Sequence, residues 1–135
     1  MKVHVLWYDY YEESHIIGIY TEEGKKKKIS ELTECARKFF ESLVNNLNFQ
    51  LLKEQQERKP YAQAYEKICS ELKLNPGAKD LKDIKKELSK AIKSHDSRIC
   101  DLKAKIRKYS QDEKTILDLY MLDKNLNWIE EDVIE

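Results

Sequence analysis

The first 21 residues alternate between two faces in the manner of β-strands. In residues 2–11 one face carries Val3, Val5, Trp7, Asp9 and Tyr11. Residues 15–21 form a second strand pattern, and the Glu12, Glu13 and Ser14 segment between them predicts a turn. Gly18 inside the second strand predicts a bulge or a close backbone approach. The pattern therefore predicts a β-hairpin over residues 1–21.

Residues 22–122 show the three-and-four spacing of amphipathic helices. Thr21 followed by two glutamates predicts a helix start. One apolar stripe then continues for more than five turns, through Ile29, Leu32, Ala36, Phe39, Leu43, Leu47 and Leu51. Pro60 predicts a stop or kink in this helix. The Asn75–Gly77 segment, N-P-G, predicts a second break.

A second and more regular stripe follows that break. Its members are Leu81, Ile84, Leu88, Ala91, His95, Ile99, Leu102, Ile106 and Tyr109. His95 lies at a core position of this stripe, where a polar residue can specify helix register. S-Q-D-E at 110–113 matches a capping box and predicts a new helix. The same pattern is equally consistent with one helix that continues through Ile116 and Tyr120.

Residues 126–134 predict a closing strand, with Ile129 and Val133 on one face and Trp128 and Ile134 on the other. The fold class is therefore α+β: one domain, residues 1–135, with a small antiparallel or mixed sheet and long antiparallel helices inserted between hairpin and closing strand. A helix over 22–58 would span about 55 Å, too long to lie wholly on that sheet. Apolar stripes of this length predict a homodimer or higher homo-oligomer.

Charge changes this picture only locally. Lysine plus arginine and aspartate plus glutamate number 25 each, so no global field attracts DNA or an anionic membrane. The net charge is −4 over residues 1–24, +4 over 25–75, +6 over 76–110 and −6 over 111–135. We expect no membrane partner, because no apolar run approaches about 18 residues. We do not expect a nucleic-acid partner, since no DNA-reading motif is present, although a surplus of +10 over residues 25–110 would suit one if it lay along one helical face.

The candidate chemistry argues against an enzyme. The sequence lacks phosphate-loop, dinucleotide-binding, H-E-x-x-H and C-x-x-C motifs. We therefore predict no catalytic residue, no cofactor and no metal. His4 and His15 are interpreted as ordinary strand histidines, although a pair across the hairpin would be able to bind metal. Three widely spaced cysteines indicate a reducing, cytoplasmic compartment, with Cys69 and Cys100 as small buried side chains.

Cations and rings together indicate an anionic ligand. The K-K-K-K run at 25–28 either grips phosphates or is a solvated segment. Arginine forms a bidentate fork for phosphate, and the four arginines are Arg37, Arg58, Arg98 and Arg107. Lys105, Arg107 and Lys108 precede Tyr109, which places cations and a ring at one helix end. The hairpin rings either pack on the helices or stack on a base.

Three segments carry a resemblance to a known class of proteins. They are V-x-V-L at 3–6, I-I-G-I-Y-T-E-E at 16–23 and W-I-E-E-D-V-I-E at 128–135. This arrangement resembles small phage and bacterial proteins built as hairpin, helical insert and closing strand, among them the phage Thoeris anti-defence proteins that sequester cyclic ADP-ribose signals. The resemblance implies a non-enzymatic oligomer that holds an anionic nucleotide where helices and sheet meet.

Two functions follow as hypotheses. In the first, the protein sequesters an anionic nucleotide signal in the host cytoplasm. Its ligand-binding residues would be Trp7, Tyr10, Tyr11, Arg98, Lys105, Arg107 and Tyr109. In the second, it is a protein–protein inhibitor or adaptor that binds a bacterial defence protein through its helical or aromatic surface. The segregated charge would then steer association.

Overall fold

The computed structural model describes residues 1–133 and confirms the α+β class. Its elements in chain order are β1 (Lys2–Tyr10), β2 (Glu13–Tyr20), α1 (Glu22–Leu74), α2 (Lys79–Tyr109), α3 (Glu113–Asp123) and β3 (Leu126–Asp132). The strands form one antiparallel sheet in the order β2-β1-β3. Ile134, predicted to belong to the closing strand, lies outside the described residues. None of the helices in residues 1–133 has an apolar stretch long enough to cross a membrane.

The hairpin turn differs from the predicted one. Pairing continues to Tyr10 opposite Glu13, so the loop is Tyr11 and Glu12 alone. Tyr11 has a φ of 53°. The prediction of a turn at 12–14 was wrong, because a two-residue loop with positive φ matches the twist of the paired strands. Glu13 and Ser14 are strand residues instead.

The bulge predicted at Gly18 is confirmed. Leu6 pairs with Gly18 but Trp7 pairs with Ile16, so Ile17 is the extra residue. A Cβ atom at position 18 would lie 2.5 Å from the Tyr20 Oη. A side chain at position 18 would therefore displace the Tyr20 ring.

Short polar side chains cap the N-termini of α1 and α3. The Thr21 Oγ1 accepts a hydrogen bond from the Gly24 amide at 3.2 Å, which confirms the predicted start of α1. Residues 110–113 lead into a new helix, which is one of the two predicted alternatives. The predicted capping box was wrong, because the N-cap is Asp112 and not Ser110. The Asp112 carboxylate accepts a hydrogen bond from the Thr115 amide at 2.8 Å.

The chain divides into two compact units. Unit 1 comprises residues 1–43 and the described residues from 109 onward, and unit 2 comprises Val44–Lys108. The buried side chains of unit 1 are Val5, Leu6, Leu32, Ala36 and Phe40. The predicted stripe contained Phe39 in place of Phe40. Phe40 is 3% exposed and Phe39 is 38% exposed, because steps of four from Leu32 through Ala36 lead to Phe40.

Unit 2 is an antiparallel pair formed by the later part of α1 and most of α2. Arg58 bonds to Asp96, and the ring of Tyr65 lies under Lys85. Residues later in α1 therefore contact residues earlier in α2, which shows that the two helices run antiparallel. The predicted break at 75–77 separates the two helices. The helix α1 continues through Pro60, so the predicted stop was wrong, and the alternative of a kink stays a prediction. On either side of this exposed proline, Arg58 bonds to Asp96 and the Tyr61 ring contacts His95, so α1 packs on α2 across the proline.

Candidate functional site

Five lysines line one hollow in unit 2, which we call the lysine hollow. Its lining residues are Tyr65, Lys82, Lys85, Lys86, Ser89, Lys90 and Lys93, and its volume is about 360 Å³. The lysines recur at steps of three and four along α2, so one helical face carries them all. No carboxylate is among these lining residues. A concave surface with this lining favours an anion.

Tyr65 supplies the one ring of the lysine hollow. It is half-buried, and the Lys85 Nζ lies 5.8 Å from its ring centroid. Tyr65 also lines an adjoining hollow of about 390 Å³, which has mixed polarity and contains the Arg58–Asp96 pair, joined at 2.6 Å. One ring thus lines both a cationic hollow and a hollow that offers a guanidinium and carboxylates.

A second polar group in unit 2 joins the two helices. His95 Nδ1 lies 2.7 Å from the Glu54 Oε1, and the side chains are 10% and 15% exposed. Arg98 donates from Nε to the same oxygen, and its Nη2 lies 3.2 Å from the His95 Nδ1. The Arg98 hydrogen bond lowers the pKa of Glu54 below its ordinary value, desolvation opposes this, and the His95 hydrogen bond adds to the lowering. The carboxylate is therefore ionised.

The predicted hairpin residues all belong to unit 1. Trp7 is half-buried and lines a shallow hollow of about 420 Å³ with Asp9, Ser14, Asn127 and Ile129. Tyr10 and Tyr11 are exposed by 47% and 87%, and their rings meet edge to face with centroids 4.4 Å apart. The structure therefore brings Tyr10 and Tyr11 together at the end of the hairpin.

The predicted helical residues are divided between the units. Arg98 and Lys105 line one hollow of unit 2, of about 390 Å³, which also has the carboxylates of Glu54, Glu57 and Asp101 in its lining. Arg107 belongs to unit 2 and Tyr109 to unit 1. The Tyr109 ring stacks on Phe40 with centroids 5.2 Å apart and planes at 12°. One face of Tyr109 is therefore taken up by unit 1 packing.

The structure also places the two hairpin histidines, the lysine run and Cys100. His4 pairs with Tyr20, and His15 pairs with Tyr8, so the two histidines lie at different registers of the hairpin. Lys25 of the lysine run lies over the Trp128 ring, 5.2 Å from its centroid. Cys100 is exposed, and the prediction that it is buried was wrong, because it lies on the solvent side of α2, next to the half-buried Ile99.

Sequence reasoning missed the lysine hollow. Its signal was present as lysines at 82, 86, 90 and 93, which lie three or four apart on one helical face. The contribution of Tyr65 had no such signal, because only the antiparallel register of α1 and α2 brings that ring beside Lys85. The same register brings Glu54 to His95 across 41 positions of sequence.

No family model, curated protein or solved structure matches this chain. What the protein binds is therefore inferred from the geometry and charge of its own residues.

Proposed function

We propose that this protein is a non-enzymatic binding protein that captures an anionic nucleotide in the lysine hollow. The observation that carries the proposal is a concave surface lined by five lysines and a tyrosine ring, without a carboxylate in its lining. In keeping with the sequence resemblance, the ligand would be a cyclic ADP-ribose type signal, and the protein a phage or mobile-element anti-defence factor.

The lining groups suit a phosphorylated ligand. Ammonium groups on flexible stems bind phosphate as point charges, and several around one hollow are matched by a ligand with more than one phosphate. Lys90 also faces Glu87 at 3.5 Å, with both side chains more than 60% exposed. Because such surface pairs contribute at most about 1 kcal/mol, Lys90 is available to a phosphate. The Tyr65 ring offers a platform on which a base stacks.

The net charge of unit 2 also favours the binding of an anionic ligand. Unit 2 has 16 lysines and arginines against 9 aspartates and glutamates, a net charge of +7. The described residues of unit 1 have 9 against 15, a net charge of −6. An anionic ligand is therefore drawn to unit 2 and repelled by unit 1, which raises its rate of association at low ionic strength.

We propose binding without turnover. The groups that line the lysine hollow are ammonium groups, a phenol and a hydroxyl, and neither an imidazole nor a carboxylate lines it to serve as a general base. A sequestering protein needs only to hold its ligand at one equivalent per site. The ligand should then be recovered chemically unchanged.

The first test is to purify the protein from cells with active nucleotide-based defence signalling, denature it, and identify the released small molecules by mass spectrometry. We expect about one equivalent of a cyclic nucleotide or ADP-ribose derivative. The triple variant Lys82→Gln, Lys86→Gln, Lys93→Gln should lose it. A matched triple variant in unit 1, Lys2→Gln, Lys38→Gln, Lys114→Gln, removes the same charge from exposed positions and should keep it.

Two outcomes would contradict the proposal. In one, no nucleotide is released and a panel of nucleotides leaves the melting temperature unchanged. In the other, both triple variants lose the ligand equally, which would mean that total charge and not the lysine hollow is responsible. Conversion of an added nucleotide by catalytic amounts of protein would contradict binding without turnover.

The exposed end of the hairpin favours a second candidate function, inhibition of a bacterial defence protein by direct contact. Tyr10 and Tyr11 are exposed there, and Ile16 and Ile19 of β2 are exposed by 48% and 62%. Exposed aromatic side chains commonly supply most of the binding energy of an interface. Salt-sensitive binding to a purified defence protein should be lost in Tyr10→Ser, Tyr11→Ser and kept in the lysine triple variant. The opposite pattern would exclude this function.

A further inference from the structure

We propose that Glu54, Glu57 and His95 form a binding site for a divalent transition-metal ion such as Zn²⁺. One ligand atom from each of the three side chains lies within 4.8 Å of the others. This is the one such group of three or more among residues 1–133. The site is separate from the lysine hollow and does not depend on the function proposed for it.

The two helices present these donors from rigid positions. Glu54 and Glu57 lie one turn apart on α1, so their carboxylates share a face. His95 lies opposite on α2 and is the one buried polar side chain of that helix, 8% exposed. His95 also contacts the Tyr61 ring, with centroids 5.4 Å apart. The imidazole is thus held in place by packing before any ion arrives.

The gap between His95 Nδ1 and the Glu54 Oε1 marks the position that the ion would take. The two atoms are 2.7 Å apart, within hydrogen-bonding distance. A metal ion bound to both atoms at about 2.1 Å needs them roughly 3.4 Å apart in a tetrahedral site. The Glu54 carboxylate must therefore move away from the His95 Nδ1 when the ion binds. Glu57 is exposed and closes onto the ion from solvent.

Arg98 contacts both of the donor atoms that the ion would bind. Its Nε donates to the Glu54 Oε1, and its Nη2 lies 3.2 Å from the His95 Nδ1. The Arg98 side chain is exposed, so it can move away from Nδ1 when an ion binds and keep its hydrogen bond to the Glu54 carboxylate. Ligating carboxylates are commonly held by such outer hydrogen bonds. Together, Arg98 and the two ionised carboxylates of Glu54 and Glu57 carry a net charge of −1. The electrostatic attraction of this group for a cation is therefore weak. The imidazole bond must therefore contribute, which selects Zn²⁺, Co²⁺ or Ni²⁺ over Mg²⁺ and Ca²⁺.

The fourth coordination position opens into solvent. Glu54, Glu57 and Arg98 line a hollow of about 390 Å³ whose other members include Lys53, Asp101 and Lys105. A zinc ion with three protein ligands keeps water at its fourth position. That water would be exchangeable here, and the lysines of the hollow would stabilise a small anion in its place.

The test is a titration of the full chain with ZnCl₂ at pH 7.5, followed by calorimetry. Cys35, Cys69 and Cys100 are replaced by serine, because free thiols would bind zinc themselves. We expect one ion per chain, with Co²⁺ competing and Mg²⁺ not competing at millimolar concentration. Glu57→Gln should weaken Zn²⁺ binding at least tenfold. Because Glu57 is exposed, this variant should fold as the parent does.

Asp101→Asn is the matched control. It removes one negative charge from the same hollow without removing a proposed ligand, and it should bind Zn²⁺ as the parent does. Zinc should also shift the imidazole NMR signals of His95 and leave those of His4 and His15 unchanged. Equal affinity in the parent and Glu57→Gln, equal loss in Glu57→Gln and Asp101→Asn, or shifts at His4 or His15 would each overturn the proposal. The lysine triple variant should keep the ion, which separates this site from the nucleotide site.

Discussion

The ring of Phe40 on α1 lies stacked on the ring of Tyr109, with centroids 5.2 Å apart. The two residues are 69 positions apart in sequence and both belong to unit 1. The contact closes unit 1 by joining the first part of α1 to the residue at which the chain returns from unit 2. Phe39, the neighbour of Phe40, contacts Tyr120 of α3 at 5.9 Å and is far more exposed.

Phe40→Ala should therefore destabilise unit 1 much more than Phe39→Ala does. Removal of a buried phenylalanine ring costs about 3–5 kcal/mol, because the transfer free energy is lost and a cavity remains. We expect less than half of that loss at Phe39. Trp7 and Trp128 both lie in unit 1, so urea unfolding followed by tryptophan fluorescence measures it directly. Equal losses in the two variants would show that Phe40 is not the core ring.

Pro60→Ala should stabilise unit 2. The alanine amide can donate to the carbonyl of Gln56 and complete the ladder of α1, and the exposed position provides space for it. We expect the free energy of unfolding to rise by up to about 3 kcal/mol, measured by urea unfolding followed by far-UV circular dichroism. Lys59→Ala next to it serves as the control and should change stability by less than about 0.5 kcal/mol. A loss of stability in Pro60→Ala would mean that the helices pack only when proline bends α1.

The Glu54–Arg98 contact should make stability depend on pH. Arg98 lowers the pKa of Glu54 in the folded state. The stabilisation is therefore fully present above the ordinary glutamate pKa of 4.5 and is lost as the pH falls through the lower folded-state value. Urea unfolding between pH 3 and pH 7 should show this loss in the parent. Glu54→Gln and Arg98→Gln should both flatten the profile, and the double variant should resemble either single one. The same acid slope in parent and Arg98→Gln would refute the assignment.

Two glycine substitutions should have opposite effects. Gly18→Ala places a Cβ 2.5 Å from the Tyr20 Oη, so the ring must leave its edge-to-face contact with Trp128. We expect a destabilisation of about 1–3 kcal/mol, as for other overpacked sites. No heavy atom lies within 4 Å of a Cβ at Gly77, and its φ is not positive. Gly77→Ala should be neutral or stabilise by about 0.4–1 kcal/mol. Urea unfolding followed by tryptophan fluorescence measures Gly18→Ala in unit 1, and far-UV circular dichroism measures Gly77→Ala in unit 2. A neutral Gly18→Ala would show that Tyr20 is free to move.

The sequence by itself determined the fold class and most element boundaries. The two-residue alternation of the hairpin, the threonine before α1 and the N-P-G break are local signals, because each depends on the conformational preference of a few adjacent residues. The stop predicted at Pro60 was wrong for the same reason. The local preference of proline is against helix, but the stability of a helix in a folded protein comes mostly from tertiary packing.

The tertiary structure alone decided which distant side chains meet. The register of α1 against α2 sets Glu54 beside His95 and Tyr65 beside Lys85, and a shift of one turn would separate both pairs. Periodicity identifies the face of a helix on which a residue lies, but not which residue of the partner helix it meets. The sequence therefore did not reveal the lysine hollow or the group formed by Glu54, Glu57 and His95. Register is fixed by the packing of whole helices, which no short segment encodes.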